Sequence, residues 1–195
     1  MKQKVSGFTI VEVALVLAVA GMIFAITLAV LPNLWANERD AARREDMMKF
    51  VTQIKNFQTN NNRGALPKPN SAKEFESTKV VSVNGGEVAS DRENKKDDNA
   101  TTWAGFYRDF FDDDFRDPNG SYYDLNVVFC DAKKSDERCA NKELENMSKL
   151  TTINNTIYVA VSAVCDGDTA VKSANARRVA VVYRLERAGQ YCYND

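Results

Sequence analysis

The residues of this chain that could do chemistry are carboxylates and cysteines, because its 195 residues include no histidine. The commonest general base and metal ligand is therefore missing, and no Ser-His or Cys-His nucleophile pair can form. Any catalysis would depend on carboxylates, lysine or tyrosine, so we expect the protein not to be an enzyme. Lys and Arg number 26 and Asp and Glu 27, a balance that gives no overall attraction to nucleic acid or anionic lipid.

An acidic cluster in the middle of the chain is a candidate calcium loop, since clustered carboxylate and amide oxygens are ligands that calcium prefers. The candidate ligands are Asp112, Asp114, Asp117 and Asn119. The EF-hand spacing is absent, however, and Asp-Pro-Asn-Gly forms a tight turn for steric reasons alone. We favour the structural turn, and the sequence predicts no other cofactor.

Four cysteines, Cys130, Cys139, Cys165 and Cys192, lie in the second half of the chain. They form no Cys-x-x-Cys pair, and zinc would need closer spacing and usually histidine. An even count in an exported chain indicates disulfides formed in an oxidising compartment. Counting alone leaves all three possible pairings open.

The element that must position the N-terminal residues is a membrane-spanning helix. Residues 1–7 are polar and include two lysines, whereas no charged residue occurs from Val13 to Asn37. About 25 uncharged residues make a helix of about 37 Å, enough to cross a hydrocarbon core of about 30 Å. Lysines ahead of the apolar run predict that the N-terminal end stays cytoplasmic and the rest is exported. An ordinary secretory signal has a shorter apolar core and a small-x-small site, and no clear site of that kind follows here.

Glu12 is a carboxylate within this apolar segment, where a charge is costly and usually functional. The stretch Gly7-Phe8-Thr9-Ile10-Val11-Glu12, followed by an apolar run, resembles the N-terminus of type IV prepilins and type II secretion pseudopilins, which carry a class III signal peptide. The resemblance implies that a prepilin peptidase cuts between Gly7 and Phe8 and N-methylates Phe8. Glu12 and Gly21 then fall where the family has a glutamate and, usually, a glycine.

Cleavage would create an α-ammonium at Phe8, and Glu12 of a neighbouring subunit could compensate this charge in a filament core. Such a pair would set the axial register between subunits; the alternative is that Glu12 reaches to the membrane interface. The family's helix proline lies three residues before Pro32, where this chain has Ala29. Because proline removes a helix hydrogen bond, we expect any melted stretch in a filament to lie between Gly21 and Pro32.

Beyond Leu34 the helix should continue as the amphipathic spine of a globular head. Apolar residues recur at three- and four-residue spacing, namely Met47, Phe50, Val51, Ile54 and Phe57. We expect this stripe to pack against a sheet, and the helix to end near Asn60, where an Asn run and Gly64 follow. The polar cluster Arg43-Arg44-Glu45-Asp46 is expected either to pair between subunits or to form a solvated face.

The remainder of the head contains an aromatic segment with helical spacing, Thr101 to Phe111, and several strand candidates. These candidates are Val80 to Val83, Tyr122 to Phe129, Thr156 to Val164 and Arg178 to Leu185. They predict an α+β fold in which a long N-terminal helix packs against an antiparallel sheet. The predicted domains are a removed leader (1–7), a long helix (8–60, with 8–37 in the membrane or filament core) and a globular head (61–195).

The resemblance implies a structural subunit of a type IV pilus-like extracellular filament that serves attachment, twitching motility or DNA uptake. A pseudopilin of a type II secretion or competence system is the alternative, and a monomeric membrane-anchored binding module is a third. The implied partners are further copies of the chain, the prepilin peptidase and the assembly machinery of the inner membrane. Before assembly the chain should be a single-pass protein of the cytoplasmic membrane with an extracytoplasmic head. Likeness to the disulfide-bounded C-terminal region of many pilins favours Cys165–Cys192, with Cys130–Cys139 as the second pair.

Overall fold

The structure is a computed structural model, and its described residues are 7–60, 64–70, 80–90, 101–111, 115–130, 137–139, 142–149 and 154–194. The chain divides into two compact units, Met1–Glu38 and Arg39–Asp195. Helix α1 spans Ile10–Asn60 and contributes residues to both units. Its end at Asn60 is where the sequence predicts it.

The first unit exposes its apolar side chains. Phe8, Ile10 and Phe24 are 87%, 89% and 69% exposed, and the same holds for most large apolar residues up to Trp35. By length and composition α1 can cross a membrane. Continuous apolar surface of this extent marks contact with lipid or with other protein. The helix is unbroken at Gly21 and contains Pro32, and the expected melting in a filament stays a prediction.

The second unit is built on a mixed sheet of five strands among the described residues, in the order β1-β2-β3-β6-β7. These strands are β1 Val80–Val83, β2 Asp124–Phe129, β3 Thr156–Val161, β6 Val179–Arg184 and β7 Gln190–Asn194. A separate hairpin consists of β4 Ala163–Asp166 and β5 Thr169–Lys172. The described part of this unit also contains three short helices: α2 Gly85–Ser90, α3 Trp103–Phe110 and α4 Lys142–Lys149.

The α+β architecture agrees with the prediction, with one difference in strand direction. β2 and β3 are parallel, with Asp124 opposite Thr156, whereas the other adjacent pairs are antiparallel. A parallel pair needs a long crossover between its strands. The segment between Phe129 and Thr156, which contains α4, is long enough to provide one.

Both faces of the sheet are covered, and this explains why its central strands are apolar almost throughout. The predicted stripe of α1, Met47, Phe50, Val51, Ile54 and Phe57, is no more than 5% exposed and joins one core cluster. In β6, Val181 belongs to this cluster, whereas Val182 belongs to a second cluster. The second cluster also contains Met147 of α4 and Ala163 of the β4–β5 hairpin.

Several element boundaries differ from the prediction because of local backbone geometry. The predicted strand Thr156 to Val164 is divided into β3 and β4 at Ser162, whose φ is 60°. A short helix, α2, begins at Gly85 directly after β1, and α2, β5, β7 and α4 are elements that the sequence did not predict. The aromatic segment is helical as predicted, and Thr102 caps α3 by accepting a hydrogen bond from Gly105 N.

Candidate functional site

The N-terminal segment contains a reciprocal cap at the start of α1. Thr9 precedes the first helical residue, and its Oγ1 accepts a hydrogen bond from Glu12 N at 3.3 Å. Glu12 Oε2 in turn accepts hydrogen bonds from Thr9 N at 2.8 Å and from Thr9 Oγ1 at 2.9 Å. This is a capping box, in which Thr and the Glu three residues later each satisfy a backbone donor of the other.

The cap gives Glu12 a role in the isolated chain and leaves the preceding residues outside the helix. Gly7 and Phe8 are exposed and non-helical, and nothing lies within 4 Å of a Cβ built on Gly7. A peptide bond in such a segment can adopt the extended form that proteases bind. Both bonds to the Glu12 carboxylate end on Oε2, and among the described residues no donor is recorded for Oε1.

The second unit contains a buried charge cluster centred on Arg43. The Arg43 side chain is 1% exposed and forms a bidentate pair with Asp117: Nε donates to Oδ2 at 2.7 Å and Nη2 to Oδ1 at 3.0 Å. Its Nη1 donates to Asp40 Oδ1 and to Glu186 Oε1, both at 3.0 Å. Tyr183 OH donates to Asp117 Oδ2 at 2.9 Å. One guanidinium therefore links α1 to the Asp117 turn and to the end of β6.

Asp40 secures the same region through the backbone. Its Oδ1 accepts a hydrogen bond from Glu186 N at 2.8 Å and its Oδ2 one from Arg187 N at 3.0 Å. Arg39 adds an outer pair to Glu186, with Nη2 to Oε2 at 2.6 Å. The turn between β6 and β7 is thus held against the first turns of α1 in this unit by two carboxylates and two guanidinium groups.

The electrostatics of the cluster favour its charged form. Burial raises the pKa of Asp117, but hydrogen bonds from Arg43, Asn119 N and Tyr183 outweigh burial, so this pKa is lowered. The hydrogen bond from Arg39 lowers the pKa of Glu186 to about 2. Burial opposes the charge on Arg43, but its bonds to Asp117 and Glu186 raise its pKa on balance. At neutral pH both carboxylates are therefore ionised around a permanent cation.

This arrangement corrects the expectation for the polar cluster of α1, which was pairing between subunits or a solvated face. Arg43 is buried and pairs within its own chain. The remaining members differ: Arg44 lies over the Tyr191 ring, Glu45 pairs with Lys49, and Asp46 accepts a hydrogen bond from Tyr123 OH.

The sequence did contain a signal for the burial of Arg43. Arg43 precedes Met47 by four residues and Phe50 by seven, so it continues the apolar stripe by one helical turn. A basic residue in line with a core stripe can be buried only if acidic partners compensate its charge, so the position indicated a candidate for a buried ion pair. Its partners, however, could not be chosen from the sequence.

The calcium interpretation does not gain support from the described residues. Asp112 and Asp114 lie outside them. Both oxygens of Asp117 already accept hydrogen bonds, and Asn119 Oδ1 accepts one from Ser121 N. No group of metal ligands is found in the described part of the chain. The Asp-Pro-Asn-Gly stretch forms the favoured turn, with Gly120 N donating to Asp117 O at 2.7 Å and φ of Gly120 at 91°.

The structure forms the two disulfides of the favoured pairing, Cys130–Cys139 and Cys165–Cys192. All four cysteines belong to the second core cluster or pack against it, so they lie on the sheet face away from the α1 stripe. The disulfides therefore bind the hairpin, the Cys139 segment and the C-terminal strand to this face.

Comparisons with known proteins identify no relative. No protein-family model, curated protein or solved structure matches the chain. The functional argument therefore depends on the residues of this chain.

Proposed function

We propose that the chain is a structural subunit of a type IV pilus-like extracellular filament, assembled after prepilin peptidase cleavage between Gly7 and Phe8. The observation that carries the proposal is the N-terminal segment: a non-helical Gly7-Phe8 step, then the first part of α1, which exposes apolar side chains and, as far as Asn37, contains one acid, Glu12. A membrane holds these helices in the precursor, and neighbouring helices cover them in the filament.

Burial of Glu12 among apolar helices requires a cation. The α-ammonium created at Phe8 supplies one from a neighbouring subunit, and Oε1 can accept it while Oε2 keeps the Thr9 cap. In a monomeric membrane-anchored module Glu12 would serve only the Thr9 cap, which a glutamine can also form and which does not require the negative charge. A pseudopilin of a secretion or competence system has the same requirement, so filament length distinguishes the two functions: long surface filaments support the pilus, short periplasmic ones the pseudopilus.

Mass spectrometry of the mature protein tests the processing step. The expected N-terminus is N-methyl-Phe8, with residues 1–7 removed. A mature protein that retains Met1 would refute membership of this class of filament proteins, whatever its fold.

Assembly is tested by two substitutions of Glu12. Glu12→Ala removes both the cap and the charge, whereas Glu12→Gln keeps a capping side chain and removes only the charge. Both variants should be inserted and processed, and filaments in sheared fractions should fall at least tenfold in both. Normal filaments from Glu12→Gln would show that the cap, and not an intersubunit ion pair, is what assembly needs.

A further inference from the structure

Asn-Gly steps are reactive points in a protein chain, and this sequence contains two of them, Asn84-Gly85 and Asn119-Gly120. The backbone nitrogen that follows an asparagine can attack the side-chain amide carbon, and glycine, which has no Cβ, hinders this approach least. Both asparagines are exposed. The structure nevertheless places the two steps in different surroundings.

The Asn84-Gly85 step lies at the start of α2 and has no room to react. Gly85 is buried, its N donates to Asp124 Oδ1 at 3.0 Å, and a Cβ built on it would lie 2.0 Å from Tyr123 O. Asn84 Oδ1 accepts a hydrogen bond from Glu87 N at 3.2 Å, as at the N-cap of a helix. Closing a ring between Asn84 and Gly85 would therefore require α2 to separate from the chain that enters β2.

The Asn119-Gly120 step lies in the turn that follows Asp117 and is open to solvent. Gly120 is exposed, its φ is 91°, and among the described residues nothing lies within 4 Å of a Cβ built on it. Asn119 Oδ1 accepts a hydrogen bond from Ser121 N at 2.8 Å, which polarises the amide carbonyl and stabilises negative charge that develops on its oxygen. The nucleophile itself, Gly120 N, donates to Asp117 O at 2.7 Å, and local opening of an exposed turn can replace this hydrogen bond with one to water.

We propose that Asn119 is a site of spontaneous deamidation in the folded chain. Gly120 N loses its proton to solvent and bonds to Asn119 Cγ, the Cγ–Nδ2 bond breaks, and Nδ2 gains a proton and leaves as ammonia. Water then opens the cyclic succinimide at either of its carbonyl carbons, which yields aspartate or isoaspartate. Water is the only other reactant, and the step is independent of cleavage at Gly7 and of filament assembly.

Isoaspartate at this position loosens the turn that carries Asp117. Its main chain runs through Cβ and Cγ, so one carbon is added before Gly120. Two hydrogen bonds close the present turn, from Gly120 N to Asp117 O at 2.7 Å and from Asp117 N to Ser121 O at 2.9 Å, and the longer main chain cannot keep the geometry of both. Because Asp117 compensates the buried charge of Arg43, the isoaspartate form should have a lower urea midpoint.

The test is an incubation of the full chain in nonionic detergent at mildly alkaline pH, with mass spectrometry of its tryptic peptides over time. The mass gain of deamidation should accumulate at Asn119 at least tenfold faster than at Asn84. In the same chain unfolded in guanidinium chloride the two rates should be similar, because only folding distinguishes the two steps. Asn119→Gln should abolish the gain in its own peptide, since glutamine must close a larger ring, and should leave the rate at Asn84 unchanged.

Asn119→Asp is the matched control for stability, because it adds the same negative charge without the extra main-chain carbon. The isoaspartate fraction should unfold at a lower urea concentration than Asn119→Asp. Equal rates at Asn84 and Asn119 in the folded chain would overturn the proposal, as would an intact Asn119 after the unfolded chain has been converted. An isoaspartate form as stable as Asn119→Asp would refute the expected effect on the Asp117 turn.

Discussion

At the scale of single residues, Arg43 is a charged side chain buried on the core-facing stripe of α1. A buried guanidinium needs partners for its donors, and here two carboxylates on α1 and in the Asp117 turn, with a third at Glu186, provide them. Burying such a pair contributes little net stability, but removing one partner leaves a buried charge uncompensated. The cluster therefore specifies where the turns meet α1 more than it adds stability.

The first prediction is that Arg43→Met lowers the free energy of unfolding by about 3–5 kcal/mol, because Asp117 is left as a buried carboxylate without its cation. Urea unfolding of the full chain in detergent, followed by near-UV circular dichroism, measures the loss. Adding Asp117→Asn to the Arg43→Met variant should recover part of the lost free energy of unfolding.

Arg39→Met is the matched control, since Arg39 is on the same helix and pairs with Glu186 but its side chain is 38% exposed. Exposed pairs contribute up to about 1 kcal/mol. A loss for Arg39→Met as large as that for Arg43→Met would contradict the central role of Arg43.

At the scale of elements, the start of α2 depends on a close backbone approach. A Cβ on Gly85 would lie 2.0 Å from Tyr123 O and 2.8 Å from the Tyr107 hydroxyl oxygen. Tyr107 OH donates to the same Tyr123 carbonyl at 2.9 Å, and Gly85 N donates to Asp124 Oδ1 at 3.0 Å. The glycine therefore allows α2 to pack directly against the chain that enters β2.

Gly85→Ala should destabilise the chain by about 1–3 kcal/mol, because backbone must move to admit the methyl group. Gly86→Ala is the comparison: its Cβ would approach no closer than 3.4 Å, to Asn84 Oδ1, so a helical alanine should be neutral or slightly stabilising. Thermal melting of both variants distinguishes these outcomes. A larger loss for Gly86→Ala would show that the packing at Gly85 is misassigned.

The two disulfides should differ in their contribution because they close loops of different length. Their sequence separations are 27 for Cys165–Cys192 and 9 for Cys130–Cys139. From loop-closure entropy, the expected stabilisation is about 3.6 kcal/mol for Cys165–Cys192 and about 2.6 kcal/mol for Cys130–Cys139. Replacing both cysteines of each pair by alanine, and comparing urea midpoints, should rank Cys165–Cys192 as the greater loss. Both pairs contact the same apolar cluster, so each variant serves as the packing control for the other.

At the scale of the whole molecule, the two units have opposite relations to water. The first exposes an apolar helix that needs lipid or other helices, whereas the second buries two apolar clusters and the charged side chains of Asp40, Arg43 and Asp117. In our proposal the first unit supplies both membrane anchoring and filament assembly. The second unit is a body that disulfides and ion pairs hold together, and in our proposal it is exported.

The stability of the second unit should decrease in acid. Asp117 and Glu186 have folded-state pKa values below their unfolded values of 3.8 and 4.5, so the unfolded chain binds more protons as pH falls. Their contribution is complete above about pH 5 and is lost as pH falls from 4.5 toward 2. Urea unfolding at pH 7, 4.5 and 3 measures this decrease.

The pKa of Asp46 is shifted in the opposite direction to those of Asp117 and Glu186, so this residue provides the control. Burial raises its pKa, so it costs stability where it is ionised and partly offsets the acid loss. Asp46→Asn should therefore make the decrease below pH 4.5 steeper. Stability that rises between pH 4.5 and 3 in the unmodified chain would contradict the assigned ionisation of the Arg43 cluster.

The features that the sequence determined are those encoded over one or a few helical turns. The uncharged run after Glu12, the stripe from Met47 to Phe57 and the end of α1 at Asn60 all follow from periodicity and local breakers. The capping box could also have been read from Thr9 and Glu12 at their spacing of three.

Only the tertiary structure decided the features that join distant segments. Arg43 meets Asp117 across 74 residues and Glu186 across 143, and β2 lies parallel to β3 because a crossover returns the chain. Such pairings depend on which surfaces remain to be covered once the sheet has formed, and no local pattern encodes that choice. Lys55 of α1 and Arg177 of the loop before β6 line one groove for the same reason, since they become neighbours only when α1 packs on the sheet.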